Sequence, residues 1–291
     1  MKGWLVVNEF VKSDKFRELF EMLEGAAEQE GIDIECRSNA AVWEKLAVED
    51  YSLEAADRPD FVLFWDKDIK LAYELEREGL RLFNRAQAIA DCDDKSLTFL
   101  KLKGSGIRQP ATFISPKKFH ADGLLPEDLI KCACDRLGFP MVMKECLGSF
   151  GAQVYLIDTP EILKEKITEM GERPYILQEY IDASKGRDTR IQVVGDRAIA
   201  AMLRHNENDF RANITNGGSM ERFEPSEEMK EMAIKACSIL QLDFAGVDIL
   251  FGADGPVLCE VNSNAHFKNL YDCTGINAAE YIIKHIISSM C

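Results

Sequence analysis

The segment VDILFGADGPVLCEVN, from Val247 to Asn262, decides how the chain is read. Two apolar runs meet at a Gly-Ala-Asp-Gly turn, yet Asp248 interrupts the first run and Glu260 and Asn262 interrupt the second. If GADG connects an antiparallel hairpin and Leu250 faces Leu258, then Asp248 lies opposite Glu260. Alternate residues of a strand share a face, so Asn262 joins them. Val247, Ile249, Cys259 and Val261 then take the other face, which directs Cys259 into the core. Opposed carboxylates destabilise a strand pair, and burying them is costly without compensation. A hard cation removes both objections, and carboxylate and amide oxygens suit Mg²⁺ or Mn²⁺. A hairpin with one wet face and no ligand gives the same pattern.

Composition narrows the setting of this hairpin. The 291 residues exceed what one small core needs and imply two or three domains. A net charge of −15 argues against non-specific binding to a nucleic-acid backbone. It does not forbid an anionic ligand, which responds to the local field. Nine scattered cysteines include no C-x-x-C pair, so reduced thiols in a cytoplasm are the simplest reading. MKGWLVVNEF reads as a strand rather than a signal peptide. No segment approaches the roughly 20 apolar residues of a membrane span.

Three units follow from the pattern: 1–90, 91–182 and 183–291. In the first, GWLVV, IDIECR, DFVLFW and LRLFN are strands. A helix carries Phe16, Leu19, Phe20 and Leu23, and another lies near 68–78. This βαβ rhythm predicts a parallel sheet without a G-x-G-x-x-G turn. The second unit is α+β: a helix leading to a loop in ADCDDKSLTFLKLKGSG, the strands ATFIS, PMVMKEC, AQVYLI and YILQEYI, and helices in PEDLIKCACDRLG and near 161–170. ASKGRD, 183–188, reads as a linker. The third unit holds TRIQVVG and RAIAAMLRH around a Gly195-Asp196 turn, a helix with Met229, Ala233 and Ala236, the hairpin above and a terminal helix.

Several polar positions suit an anionic ligand. In KECLGSFGAQV, Gly148, Ser149 and Gly151 sit between two strands, where backbone N–H groups can form an anion nest. An ordinary hairpin loop has the same composition. Lys144 alternates with Val142, and Lys95 opens a helix against its dipole. Gln178, Glu179 and Tyr180 end an apolar strand and offer groups for an adenine edge and a ribose. Arg204 and Arg211 flank a polar loop with Asn213, and guanidinium groups match phosphate and carboxylate.

In their order and spacing, DFRANITNGG, AGVDIL and EVN resemble the ATP-grasp superfamily, specifically its RimK-like carboxylate–amine ligases; KECLGSFGAQV and QEYI add to the match. The resemblance covers roughly the last two hundred residues. It implies an ATP-grasp fold of α/β and α+β units with an N-terminal βαβ pre-ATP-grasp domain. It assigns metal binding to Asp248, Glu260 and Asn262, and phosphate contacts to Lys95 and Lys144. Gly148, Ser149 and Gly151 become the phosphate-covering loop, and Gln178, Glu179, Tyr180 and Ile181 the adenine and ribose hinge. Asp188 is an acidic nucleotide contact, Arg211 and Asn213 lie near the terminal phosphate, and Arg204 supports the reacting carboxylate. The implied cofactors are ATP and Mg²⁺ or Mn²⁺. The implied partners are small-molecule or peptide carboxylates and amines, with neither nucleic acid nor membrane, and family members commonly form homo-oligomers.

The implied reaction is ATP-dependent C–N bond formation through an acyl phosphate. A small-molecule kinase on the same fold and a non-catalytic nucleotide-binding regulator are the alternatives. An Asp248→Asn change is then expected to cost turnover and spare the fold. The family's ribosomal-protein glutamate ligases usually continue EVN with Ser-x-Pro-Gly, but here the chain reads EVNSNAHFKN. His266 and Lys268 fall where an acceptor can sit, though a loop histidine satisfied by its neighbours is an equal reading.

Overall fold

A computed structural model describes residues 1–48, 52–120, 125–148, 151–214 and 217–290. The N-terminal unit runs β1 (Lys2–Val7), α1 (Asp14–Gln29), β2 (Asp33–Ser38), α2 (Asn39–Val48), β3 (Phe61–Trp65), α3 (Ile69–Arg77) and β4 (Leu82–Phe83). Its strands form a parallel sheet in the order β2-β1-β3-β4. The alternation of β1 explains why both faces are covered. Trp4 and Val6 pack with Val42 and Leu46 of α2 and Leu71 and Leu75 of α3. Leu5 packs on the other face with Leu19 and Leu23 of α1.

The middle of the chain runs α4 (Ala86–Asp93), α5 (Lys95–Leu102), β5 (Thr112–Ile114), α6 (Glu127–Leu137), β6 (Met141–Glu145), β7 (Val154–Ile157), α7 (Pro160–Met170) and β8 (Tyr175–Glu179). The one helix expected ahead of a loop in 90–106 is two, and the loop follows α5. Asp94 has extended backbone, and its carboxylate caps α5 by accepting from Ser96 N and Leu97 N. β5, β8, β6 and β7 make an antiparallel sheet in that order.

The remainder runs β9 (Arg187–Val194), β10 (Arg197–His205), β11 (Ser219–Arg222), α8 (Glu227–Ile239), β12 (Phe244–Gly252), β13 (Gly255–Asn262), α9 (Lys268–Thr274) and α10 (Ala278–Met290). The expected linker at 183–188 is a 3₁₀ turn at Asp182–Ser184 followed directly by β9. The third sheet is antiparallel, in the order β11-β10-β9-β12-β13. One of its faces packs Ile191, Val193, Val247, Ile249 and Leu258 against Ala233 and Ala236 of α8. The other carries the polar residues treated below.

The first and third sheets are locked together. Ile282, Ile283 and Ile286 of α10 share a core with Leu5, Leu63 and Phe244. The Trp65 ring stacks on Phe244 with centroids 5.2 Å apart and meets Phe267 edge-on at 5.6 Å. Between them, fully buried Asn84 donates to the carbonyls of Phe244 and Ser263 and accepts from Asp243 N and Phe244 N. The clamp fixes the end of β4 against the start of β12.

Asn84→Ala strips these four hydrogen bonds and leaves buried backbone groups unpaired, at about 1–3 kcal/mol each. Urea unfolding should show a loss of at least about 3 kcal/mol. Stability within about 0.5 kcal/mol of the parent would refute the clamp.

Candidate active site

The polar face of the third sheet is built by register. Arg204 on β10 pairs across the strands with Asp188 on β9, and Asp248 on β12 lies between Arg190 on β9 and Glu260 on β13. Arg190 grips Asp248 with two bonds of 2.7 Å. Arg204 grips Asp188 with two more of 2.7 Å and reaches Asp248 Oδ2 at 3.0 Å. Burial pushes the Asp248 carboxyl up, but Arg190 and Arg204 more than offset it and hold the group below the ordinary carboxylate range. Asp188, also buried, faces Arg204 but feels the repulsion of Asp248, and stays above that range. The opposed-carboxylate problem posed by the sequence is therefore answered by Arg190, a residue to which the sequence reading gave no role.

Asp248 does face Glu260, but through a different register from the one expected. Leu250 pairs with Val257 and Ile249 with Leu258, and a bulge between Asp248 and Ile249 restores the Asp248–Glu260 pairing. The extra residue is Cys259. A bulge breaks strict alternation, so Leu258 and Val261 enter the core while Cys259 and Glu260 both line a cavity. The expectation that Cys259 points into the core is thus overturned. Its Sγ lies 3.8 Å from Lys144 Nζ, and burial pushes its thiol up to about 11.

That cavity, about 110 Å³, brings together most of the positions expected to bind nucleotide. Lys95, Lys144, Gly148, Gly151, Asp188, Arg211 and Asn213 line it, with Gln178, Glu179, Tyr180 and Ile181 at the β8 end. Ser149 lies outside the described residues. Gln178 Oε1 and Tyr180 Oη are buried there without a hydrogen-bond partner among the described residues. Lys95 Nζ donates to Gly148 O at 3.1 Å, and Arg211 Nη1 to Gly151 O at 2.7 Å. Gly151 has φ near +72° and its absent Cβ would lie 3.0 Å from Asn213 Oδ1, so a larger residue would be strained.

A larger cavity of about 350 Å³ lies between the first and third sheets. Glu260, Arg204, Gly151 and Asn213 line both cavities, so the two meet there. Asn262 lines only the larger one, and its Nδ2 lies 3.4 Å from Gly246 O. Asn8, Lys15 and Asp66, none singled out from sequence, come from the N-terminal unit. Asn8 and Asp66 directly follow β1 and β3, the carboxyl ends where an open parallel sheet places ligands; that rule was the available signal. His266 lines the cavity too, whereas Lys268 pairs with Asp272 and Glu18.

Residues 92–286 match the family model of the RimK-like ATP-grasp domain. Among curated proteins, the chain is 34% identical to beta-citrylglutamate synthase B of Danio rerio over 77% of its own length and 54% of that protein's. The chain thus spans about half of that relative. It is 35% identical to the ribosomal protein bS6–L-glutamate ligase of Escherichia fergusonii, over 73% of this chain and 69% of that one. The crystal structure of a RimK domain ATP-grasp protein from Sphaerobacter thermophilus superposes with a TM-score of 0.73 at 20% identity, covering 98% of this chain and 99% of that one. The two antiparallel sheets that enclose the smaller cavity, and the parallel sheet that walls the larger, are therefore those of an ATP-grasp protein, and the chain belongs to the RimK-like ATP-grasp family.

Proposed function

We propose that this protein is an ATP-dependent carboxylate–amine ligase with the site divided between the two cavities. The observation that carries this is their junction: a cation-lined, glycine-covered pocket and a second, roomier pocket share Glu260 and Arg204. The nucleotide lies in the smaller cavity, with its base against Gln178–Ile181 and its phosphates toward Lys95, Lys144 and Arg211. A carboxylate oxygen attacks the γ-phosphorus and ADP leaves. The amine nitrogen then attacks the acyl carbon, inorganic phosphate departs, and the nitrogen loses its proton. Arg204, whose Nη1 makes none of the bonds to Asp188 and Asp248, faces both cavities and stabilises charge on the transferring group.

The donor set fits a divalent cation. Glu260 is partly exposed, with Lys95 at 3.6 Å, and brings a carboxylate to the junction. Asn262 offers an amide oxygen, and its Nδ2 already has a partner. Asp248 has given most of its lone pairs to the two arginines and retains room for one further contact. Mg²⁺ or Mn²⁺, when bound, neutralises phosphate charge. This reading also divides the chain into units at 1–90, 91–182 and 183–291. The free cysteines support a cytoplasmic setting, and among the described residues no helix is long and apolar enough to cross a membrane. The substrates are small-molecule or peptide acids and amines. Relatives named for glutamate products make L-glutamate the first amine to try.

A screen of dicarboxylates and amino acids with ATP and Mg²⁺ should release phosphate and yield an amide by mass. Replacing the amine with hydroxylamine should yield a hydroxamate. A stable phosphorylated acid instead of an amide would identify a kinase and overturn the ligase reading.

Asp248→Asn is a poor test of metal binding, because breaking a buried charge pair costs about 3–5 kcal/mol by itself. Glu260→Gln is cleaner. Mg²⁺-dependent ADP formation should fall at least about 100-fold, with urea stability within about 1 kcal/mol of the parent. Retained turnover would remove Glu260 from the metal site.

The smaller cavity, about 110 Å³, is below the roughly 300 Å³ of a site for a ligand of drug size, so its walls must part for ATP to enter. Lys95 and Arg211 bond the carbonyls of Gly148 and Gly151 and must exchange them for phosphate oxygens. Arg211→Ala should raise the KM for ATP about tenfold or more. An unchanged KM in steady-state assays would place Arg211 away from the phosphates.

A further inference from the structure

Three buried polar atoms on the wall of the larger cavity have no hydrogen-bond partner among the described residues: Asp66 Oδ2, Asn264 Oδ1 and His266 Nδ1. All three are acceptors. Asp66 is 6% exposed, and its other oxygen accepts from Asn8 Nδ2 at 3.0 Å and Lys67 N at 2.6 Å. Asn264 Nδ2 donates to the Asp66 carbonyl at 2.6 Å, which fixes its amide so that Oδ1 is the free atom. His266 Nε2 lies 2.8 Å from the Lys15 carbonyl, so Nε2 carries the proton and Nδ1 the lone pair. Burial keeps that ring neutral by pushing its pKa down to about 4.

Unpaired buried acceptors are costly, and native proteins rarely collect them without a ligand. An ammonium group is the complement, with three donors, no acceptor and a positive charge for Asp66. Placement agrees with chemistry. Asp66 directly follows β3, beside the Asn8 that follows β1, at the point where the parallel sheet reverses its strand order. The ammonium of the adjacent Lys67 pairs with Asp93.

We propose that Asp66, Asn264 and His266 form the subsite that receives the ammonium group of the amine substrate. The subsite rests on the ligase reading and adds the N-terminal unit to substrate recognition. From it the amine faces the junction at Glu260, where the acyl phosphate forms. Asp66 provides the charge, while Asn264 and His266 set direction.

The test is calorimetric binding to the full chain loaded with ADP and Mg²⁺, using L-glutamate and its amine-free counterpart glutarate as probes. The parent should bind L-glutamate the more tightly. Asp66→Asn should weaken L-glutamate at least about tenfold, the weight of a charge-assisted hydrogen bond, and change glutarate less than about twofold. His266→Phe, at an independent position, should likewise weaken L-glutamate more than glutarate. ADP affinity, measured in each variant, should hold and reports that the protein is folded. Equal losses for both probes, no loss in Asp66→Asn, or no preference for L-glutamate in the parent would overturn the subsite. Failure of the parent to bind ADP at all would instead overturn the ligase reading.

Discussion

Arg204 between Asp188 and Asp248, with Arg190 closing the group on Asp248, is the interaction on which the site depends. Two acids and two guanidinium groups are removed from water on adjacent strands of one sheet. Such a cluster is weak evidence for stability, because desolvation consumes most of the Coulombic gain. What it supplies is position. The bidentate pairs fix β9 against β10 and β12, and they leave one edge of Asp248 and one nitrogen of Arg204 toward the cavities. A hydrophobic replacement of similar volume could hold the strands together, but it could not present charge to a phosphoryl group.

Much of this was legible in the hairpin. Polar residues alternating within apolar runs exposed a functional face, and Asp248 does stand opposite Glu260. The route to that pairing was nonetheless mistaken. Uniform pairing assumed Leu250 against Leu258, whereas the strands run one residue out of that register until Cys259 bulges and brings them back. Nothing local in LCEV announces a bulge, because the cost of leaving one residue unpaired is met by what the bulge aims. Here it turns two consecutive side chains, Cys259 and Glu260, toward one cavity.

Other omissions have a common cause. Arg190 alternates with Asp188 and Gln192 along β9 and so carried a period-two signal, yet an arginine on a strand is ordinarily solvated. Asp66 and Asn8 looked like loop residues, since parallel strands end in loops whether or not a ligand waits there. Asn84 carried no signal at all: its four partners lie about 160 to 180 residues away in sequence. Helix and strand periodicity report what a segment buries, and long-range polar partners leave no trace in it.

The clamp and the larger cavity are consequences of one arrangement. Asn84, the Trp65–Phe244 stack and helix α10 bind the parallel sheet to the antiparallel one through shared core rather than through a linker. A joint of that kind resists the hinge motion expected where two domains meet over a small polar interface. The carbonyls of Gly148 and Gly151, by contrast, are held by Lys95 and Arg211, contacts that phosphate oxygens can replace. On the proposed reading, exchange of partners falls to the nucleotide side and rigidity to the acceptor side. For a ligase that assignment is chemically sensible. The nucleotide must enter and leave in every cycle, while the amine must meet a short-lived acyl phosphate in one orientation before water does.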